Sequence, residues 1–174
     1  QKQLGSVQDK AKRVAQIAKS IAPLIGADPE QAERAGLLSK CDLSTNMVGE
    51  FDKLQGIMGT YYARHDGEND NVAIAMTEQY LPKFSGDKLA QNPVGQAIAI
   101  ADRVDTLVGI FGICQIPKGS KDPFALRRAA IGLLRTLVEN KLGLDLNSLI
   151  KSSINSFESK LTNDNTQEEL LEFI

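Results

Sequence analysis

Residues 93–113 constrain the fold more than any other stretch. Asn92-Pro93 opens a long, mostly apolar helix running to about Ile113. Its Ala97, Ile98, Ala101, Val104 and Val108 are small or branched residues suited to burial. The only charges in it are Asp102, Arg103 and Asp105. Asp102 and Asp105 stand three residues apart and share a helical face, with Arg103 between them in sequence. Such a pair serves either as metal ligand or acid–base pair, or as half-buried acids satisfied by a neighbouring helix. No companion ligands are evident, so the structural reading is preferred, buried acids being usually paired.

The rest of the chain reads as helices that would pack with this one. Val7, Val14, Ile17, Ala18, Ile21 and Ile25 lie largely on one face of a helix from Ser6, which Pro23 bends or ends and Gly26 closes. Asp28-Pro29-Glu30-Gln31 is a start signal, with Asp28 as cap, Pro29 at the first helical position and Gln31 as capping-box partner. That helix runs to about Cys41. Further helices are expected over 44–51, capped by Asp42 or Ser44, then over 54–64 and 71–81. Gly56 and Gly59 in the second of these would let a neighbouring backbone approach closely. Residues 83–92 read as loop. Asp122-Pro123 repeats the Asp-Pro start signal, and a strongly amphipathic helix follows to Leu142. A weaker helix over 145–157, a polar linker over 162–166 and a final helix complete the chain. No repeat, low-complexity tract or strand is found.

Aromatic residues make up 5 % of the 174 residues and Trp is absent, so the core must rest on Leu, Ile, Val and Ala. That palette suits an all-α bundle. The expected compact unit covers residues 1–115, with 116–174 a basic loop and helices that begin a second helical region. Cys41 and Cys114 are isolated thiols that form neither a disulfide framework nor a zinc motif, which points to a reducing, cytoplasmic setting. No apolar run approaches the roughly 20 residues of a membrane span. The N-terminus has no initiator Met, signal or transit peptide, and the C-terminus stops inside an amphipathic pattern, so an excised segment is expected.

A net charge of −2 excludes a wholly basic nucleic-acid binder but leaves room for a local patch. Lys118, Lys121, Arg127, Arg128, Arg135 and Lys141 face only Asp122 and Glu139 between residues 118 and 141. A basic loop entering a helix N-terminus can bind phosphate, since free N–H groups and the helix dipole add to the charge; ordinary solvated or interface arginines are the alternative. Arg127 and Arg128 point about 100° apart on a helix, so one is expected to face outward and the other to pack inward against an acid. His65-Asp66 could ligate metal, but His65 is the only histidine and sits in a polar turn, which makes an exposed pair at a helix end the preferred reading. Neither a nucleophile elbow nor a glycine-rich phosphate loop is present.

Leu37-Leu38-Ser39-Lys40-Cys41-Asp42-Leu43, Met47-Val48-Gly49-Glu50-Phe51 and Leu54 to Ala63 resemble the β subunit of bacterial heterotetrameric glycyl-tRNA synthetase. So do Tyr80-Leu81-Pro82, Ala101 to Gly109 and Gly119 to Ala130, and the resemblance covers roughly residues 5–140. It implies a part of an α₂β₂ ligase that joins glycine to tRNA with ATP. The ATP would be used on the α subunit, so this segment would need no cofactor or metal. The implied partners are the α subunit, the remaining β domains and tRNA, with no membrane. The resemblance also implies the helical fold of HD-domain phosphohydrolases, whose metal ligands would fall on Lys10, on Ser39-Lys40 and on Asp102. Only Asp102 keeps a ligand's chemistry, so hydrolase activity is not expected, and Lys40 is expected beside Asp102. Lys118, Lys121, Arg127, Arg128 and Arg135 remain as candidates for contact with tRNA or with other domains.

Overall fold

The computed structural model describes all 174 residues and is all-α, its helices joined by turns and loops with one isolated β-bridge. Nine α-helices follow one another: α1 Val7–Ile21, α2 Pro29–Leu38, α3 Asn46–Glu50, α4 Ile57–His65, α5 Asp70–Glu78, α6 Pro93–Gly112, α7 Leu126–Glu139, α8 Leu146–Ser156 and α9 Thr166–Phe173. No helix is long and apolar enough to cross a membrane.

The expected apolar helix is the axis of the molecule. Asn92 caps α6 by accepting from Val94 N, Pro93 occupies its first position, and 17 of its 20 residues are buried. A helix apolar on every side must be covered on every side. The cover consists of α1, α2, α5, α7, α8 and α9, all of which pack on α6. Its outer layer is α4, which packs on α5, with α3 and two 3₁₀ turns, Cys41–Ser44 and Asp52–Leu54, beside it.

Local signals explain most boundaries. Ser6 and Asp9 form a reciprocal capping box at α1. Asp28 caps α2 by accepting from Gln31 N, but the Gln31 side chain accepts from Asn71 instead of reaching back. Thr45 caps α3, rather than Asp42 or Ser44, because the buried Asp42 carboxylate is taken up by Gly56 N at 2.6 Å. The Asp122-Pro123 start signal is also displaced. Ala125 adopts a left-handed conformation with φ 53°, so α7 begins at Leu126. Asp122 still caps it from outside, accepting from Leu126 N and Arg127 N.

The division expected near residue 115 meets no break in packing. One cluster of 31 buried apolar residues runs from Val14 to Leu170 and includes Leu126, Leu133, Leu149, Ile150 and Phe157. The reason is geometric: without α7, α8 and α9, one flank of α6 would face water. Phe111 of α6 meets Phe173 of α9 with ring centroids 5.0 Å apart.

Two glycines test how tightly this arrangement is held. Gly36 of α2 lies directly on the Ala15 backbone of α1, leaving no room for a Cβ, whereas a Cβ on Gly49 of α3 would meet nothing within 4 Å. Gly36→Ala should lower stability by about 1–3 kcal/mol through overpacking, against its helix-propensity gain of about 1 kcal/mol. Gly49→Ala should raise stability by about 0.4–1 kcal/mol. Urea midpoints of the two variants falling in the opposite order would refute this account of the α1–α2 contact.

Candidate functional site

At mid-height of α6 the three charged residues leave its apolar pattern, and the surrounding helices answer each one. Asp105, 2 % exposed, takes Arg13 of α1 through Nε at 2.6 Å and Nη2 at 3.2 Å. Lys10, one turn earlier on α1, reaches Asp105 at 3.2 Å and the Thr106 hydroxyl at 2.7 Å. Asp102 Oδ1 stands 3.3 Å from both Lys10 Nζ and Lys40 Nζ, an ion-paired position without a well-directed hydrogen bond. Lys40 also donates to Gln79 Oε1 at 2.7 Å and lies 4.5 Å from the centre of the Tyr80 ring. Arg103 is buried and donates to the carbonyls of Gln79, Ala99 and Pro82, with no carboxylate in ion-pair reach.

Lys10, Lys40 and Asp102 thus converge, whereas Ser39 turns away and donates to Gly36 O at 2.8 Å. Burial pushes the Asp102 carboxyl up, but the two ammonium groups outweigh it and hold the carboxyl below its ordinary value. Burial pushes Lys10 down, but Asp102 and Asp105 outweigh it and raise it. For Lys40 burial prevails, Asp102 restores part of the loss and Lys10 adds repulsion, so its value falls. No three His, Cys, Asp or Glu side chains gather anywhere in the fold. A carboxylate already held by two ammonium groups does not fit a divalent ion, so the metal site implied by the phosphohydrolase resemblance has no donor set here. His65 and Asp66 lie exposed at the end of α4.

The basic segment is divided. Lys118 and Lys121 flank an exposed turn closed by backbone hydrogen bonds of 3.1 and 2.9 Å, and neither forms an ion pair. Arg127 donates to Gly119 O at 2.7 Å. Arg135 is engaged by Glu139 at 2.6 Å and also donates to Asp87 O. Arg128 is exposed and has no partner. The expectation that one of Arg127 and Arg128 packs inward against an acid is therefore corrected. Leu126, Ala130, Leu133 and Leu137 occupy the inward face of α7, and the 100° step leaves both arginines off it.

No sequence motif singles out Arg13, or Lys10 as a partner of both acids. The signal was present in the spacing: Lys10 and Arg13 are three apart on α1, as Asp102 and Asp105 are on α6. Opposite charges at matched intervals on two packed helices pair in register.

The whole chain, residues 1–174, matches the glycyl-tRNA synthetase beta subunit family. The chain belongs to that family. It is 57 % identical over 175 residues to the glycine–tRNA ligase beta subunit of Pseudoalteromonas atlantica. It is 58 % identical over 174 residues to the subunits of the same name from Glaesserella parasuis and Haemophilus influenzae. In each case all of this chain is covered, but it spans only 25 % of the relative's length.

The ion-pair cluster makes a pH-dependent prediction. Because the folded-state value of Asp102 is depressed, its stabilisation is fully present above the ordinary carboxylate value, about 3.9. It is lost as pH falls through the lower folded value. Asp102→Asn should therefore cost roughly 1–4 kcal/mol at pH 7, leaving two lysines without their anion. The deficit relative to wild type should narrow as pH falls below about 4. Thermal unfolding of both proteins from pH 3 to 7 checks this; a deficit constant with pH, or none, counts against it.

Proposed function

We propose that this chain is a tRNA-handling and assembly domain of a glycine–tRNA ligase beta subunit, without a reaction centre of its own. The family membership over all 174 residues and the names of the relatives carry this reading. In it the chain serves an α₂β₂ ligase working in the cytoplasm. The α subunit uses ATP to activate glycine, and this domain holds neither cofactor nor metal. Its partners are the α subunit, the rest of the beta subunit and tRNA.

The unpaired cations Lys118, Lys121 and Arg128 favour direct phosphate contact. They stand where the basic turn leads into α7, and none is neutralised within the fold. A second reading, docking against protein, draws on Ile131 and Val138, which are 58 % and 70 % exposed on the same outward side of α7. Apolar residues interleaved with arginines are a common composition for a protein interface.

Salt dependence separates the two. In the assembled enzyme, Lys118→Ala, Lys121→Ala and Arg128→Ala should weaken tRNA binding, each lowering the slope of log K against log salt by about one unit if phosphate is contacted. If the segment docks on protein, the same variants and Ile131→Ser should loosen assembly while the salt slope of the assembled enzyme stays fixed. Full tRNA affinity together with intact assembly in all variants would exclude both readings.

A further inference from the structure

Asp102 lines a cleft of about 470 Å³ that also takes in Arg128 of the basic segment. Its walls come from four separate elements: the 3₁₀ turn Asp52–Leu54, the segment after α5, the middle of α6 and the start of α7. Among the charged residues lining it, Lys53, Lys83, Arg103 and Arg128 outnumber Asp52 and Asp102. Asp102 is already committed to Lys10 and Lys40, which lie against it from outside the cleft lining. Arg103 has only backbone carbonyls for partners, and the side chains of Lys53, Lys83 and Arg128 have none. The cleft therefore holds positive charge that the fold does not neutralise. Low-dielectric walls concentrate such a field toward the opening.

The surplus extends beyond the cleft. Arg128 also borders a neighbouring hollow of about 270 Å³, and Arg135, which lines that hollow, has a buried Nη1 without an acceptor. Tyr80, Pro82 and Phe124 add flat apolar surface to the main cleft. Guanidinium and ammonium donors lining one cleft with aromatic surface suit a phosphate group carried on a planar base.

We infer that this cleft binds the phosphate group of a nucleotide unit, with Lys53, Lys83 and Arg128 as its donors. The inference shares Arg128 with the tRNA-handling reading and goes beyond it, because Lys53 and Lys83 lie far outside the basic segment in sequence and on other elements. The nucleotide unit has two possible sources sharing this chemistry: a free mononucleotide, or one residue of an RNA strand.

Calorimetric titration of the 174-residue chain at fixed ionic strength tests it, with inorganic phosphate, AMP and a short single-stranded RNA as probes. Saturable binding of AMP or phosphate, weakened about tenfold or more by Arg128→Ala and by the double change Lys53→Ala with Lys83→Ala, supports the site with a free nucleotide as source. Binding of the RNA alone, with the same loss in the variants, supports it with a strand as source. The control Lys151→Ala, on the exposed side of α8, should leave binding unchanged. All substituted side chains are exposed, so unfolding midpoints should match wild type. No binding of any probe, binding indifferent to the cleft variants, or equal weakening by the control overturns the inference. Loss in the Lys53 and Lys83 variant with unaltered tRNA affinity separates this site from the α7 segment.

Discussion

Everything in this fold follows from the need to enclose α6. Seventeen of its 20 residues are removed from water, and no single neighbour covers more than part of its circumference. Six helices drawn from both ends of the chain are therefore packed on one rod. Apolar burial at about 25 cal/mol per Å² supplies the drive but carries no register, since one alanine or valine is much like the next along the rod. Register comes from the charges. Arg13 and Lys10 meet Asp105 and Asp102 only if α1 lies at one height and rotation on α6. A shift by one residue would bury at least one carboxylate without a partner, at a cost of several kcal/mol. Gly36 then brings α2 down onto Ala15, and Lys40, just past the end of α2, is delivered to Asp102.

The sequence disclosed this order unevenly. Periodicity revealed the helices because each buries a stripe: Val14, Ile17, Ala18 and Ile21 on α1, and Leu126, Ala130, Leu133 and Leu137 on α7. Starts announced by a side chain that caps its own helix, at Ser6, Asp28 and Asn92, were also readable. Starts governed by tertiary demand were not. Asp42 is a plausible cap, yet Gly56 N claims it from 14 residues away. Asp122-Pro123 is a plausible first turn, yet a left-handed Ala125 intervenes, and the aspartate caps at longer range. Neither outcome leaves a mark in local sequence, because the competing donor is distant in one case and the turn is set by its surroundings in the other. The boundary expected at residue 115 shows the same limit. A polar, basic loop resembles a linker, while the apolar stripe beyond it only later shows itself to be the missing cover of α6.

The polar site shows a comparable division. Lys40 beside Asp102 was legible only through the phosphohydrolase resemblance, which placed both residues at one centre. Arg13 was legible in principle, from the matched spacing of charges on α1 and α6, but spacing alone does not reveal which helices are neighbours. Ser39 illustrates the opposite error of position without participation. It occupies a ligand's place in the sequence, yet its hydroxyl is spent on the Gly36 carbonyl at the end of α2. A serine near a helix end commonly satisfies a free carbonyl of the last turn in this way.

Arg103 joins the central helix to the cleft. Its guanidinium is inserted between α6 and α7 at the one point where α7 presents a glycine: a Cβ on Gly132 would stand 2.7 Å from Arg103 Nε. The cation is thereby fixed against three backbone carbonyls, Gln79 and Pro82 after α5 and Ala99 of α6, and tethers the chain after α5 to the central helix. Carbonyl dipoles satisfy its hydrogen bonds but do not cancel its charge, and burial accordingly weakens its hold on the proton. The three carbonyls it donates to and the nearby Asp102 carboxylate offset part of the cost of burying this cation, and the rest is borne where α6, α7 and the segment after α5 meet.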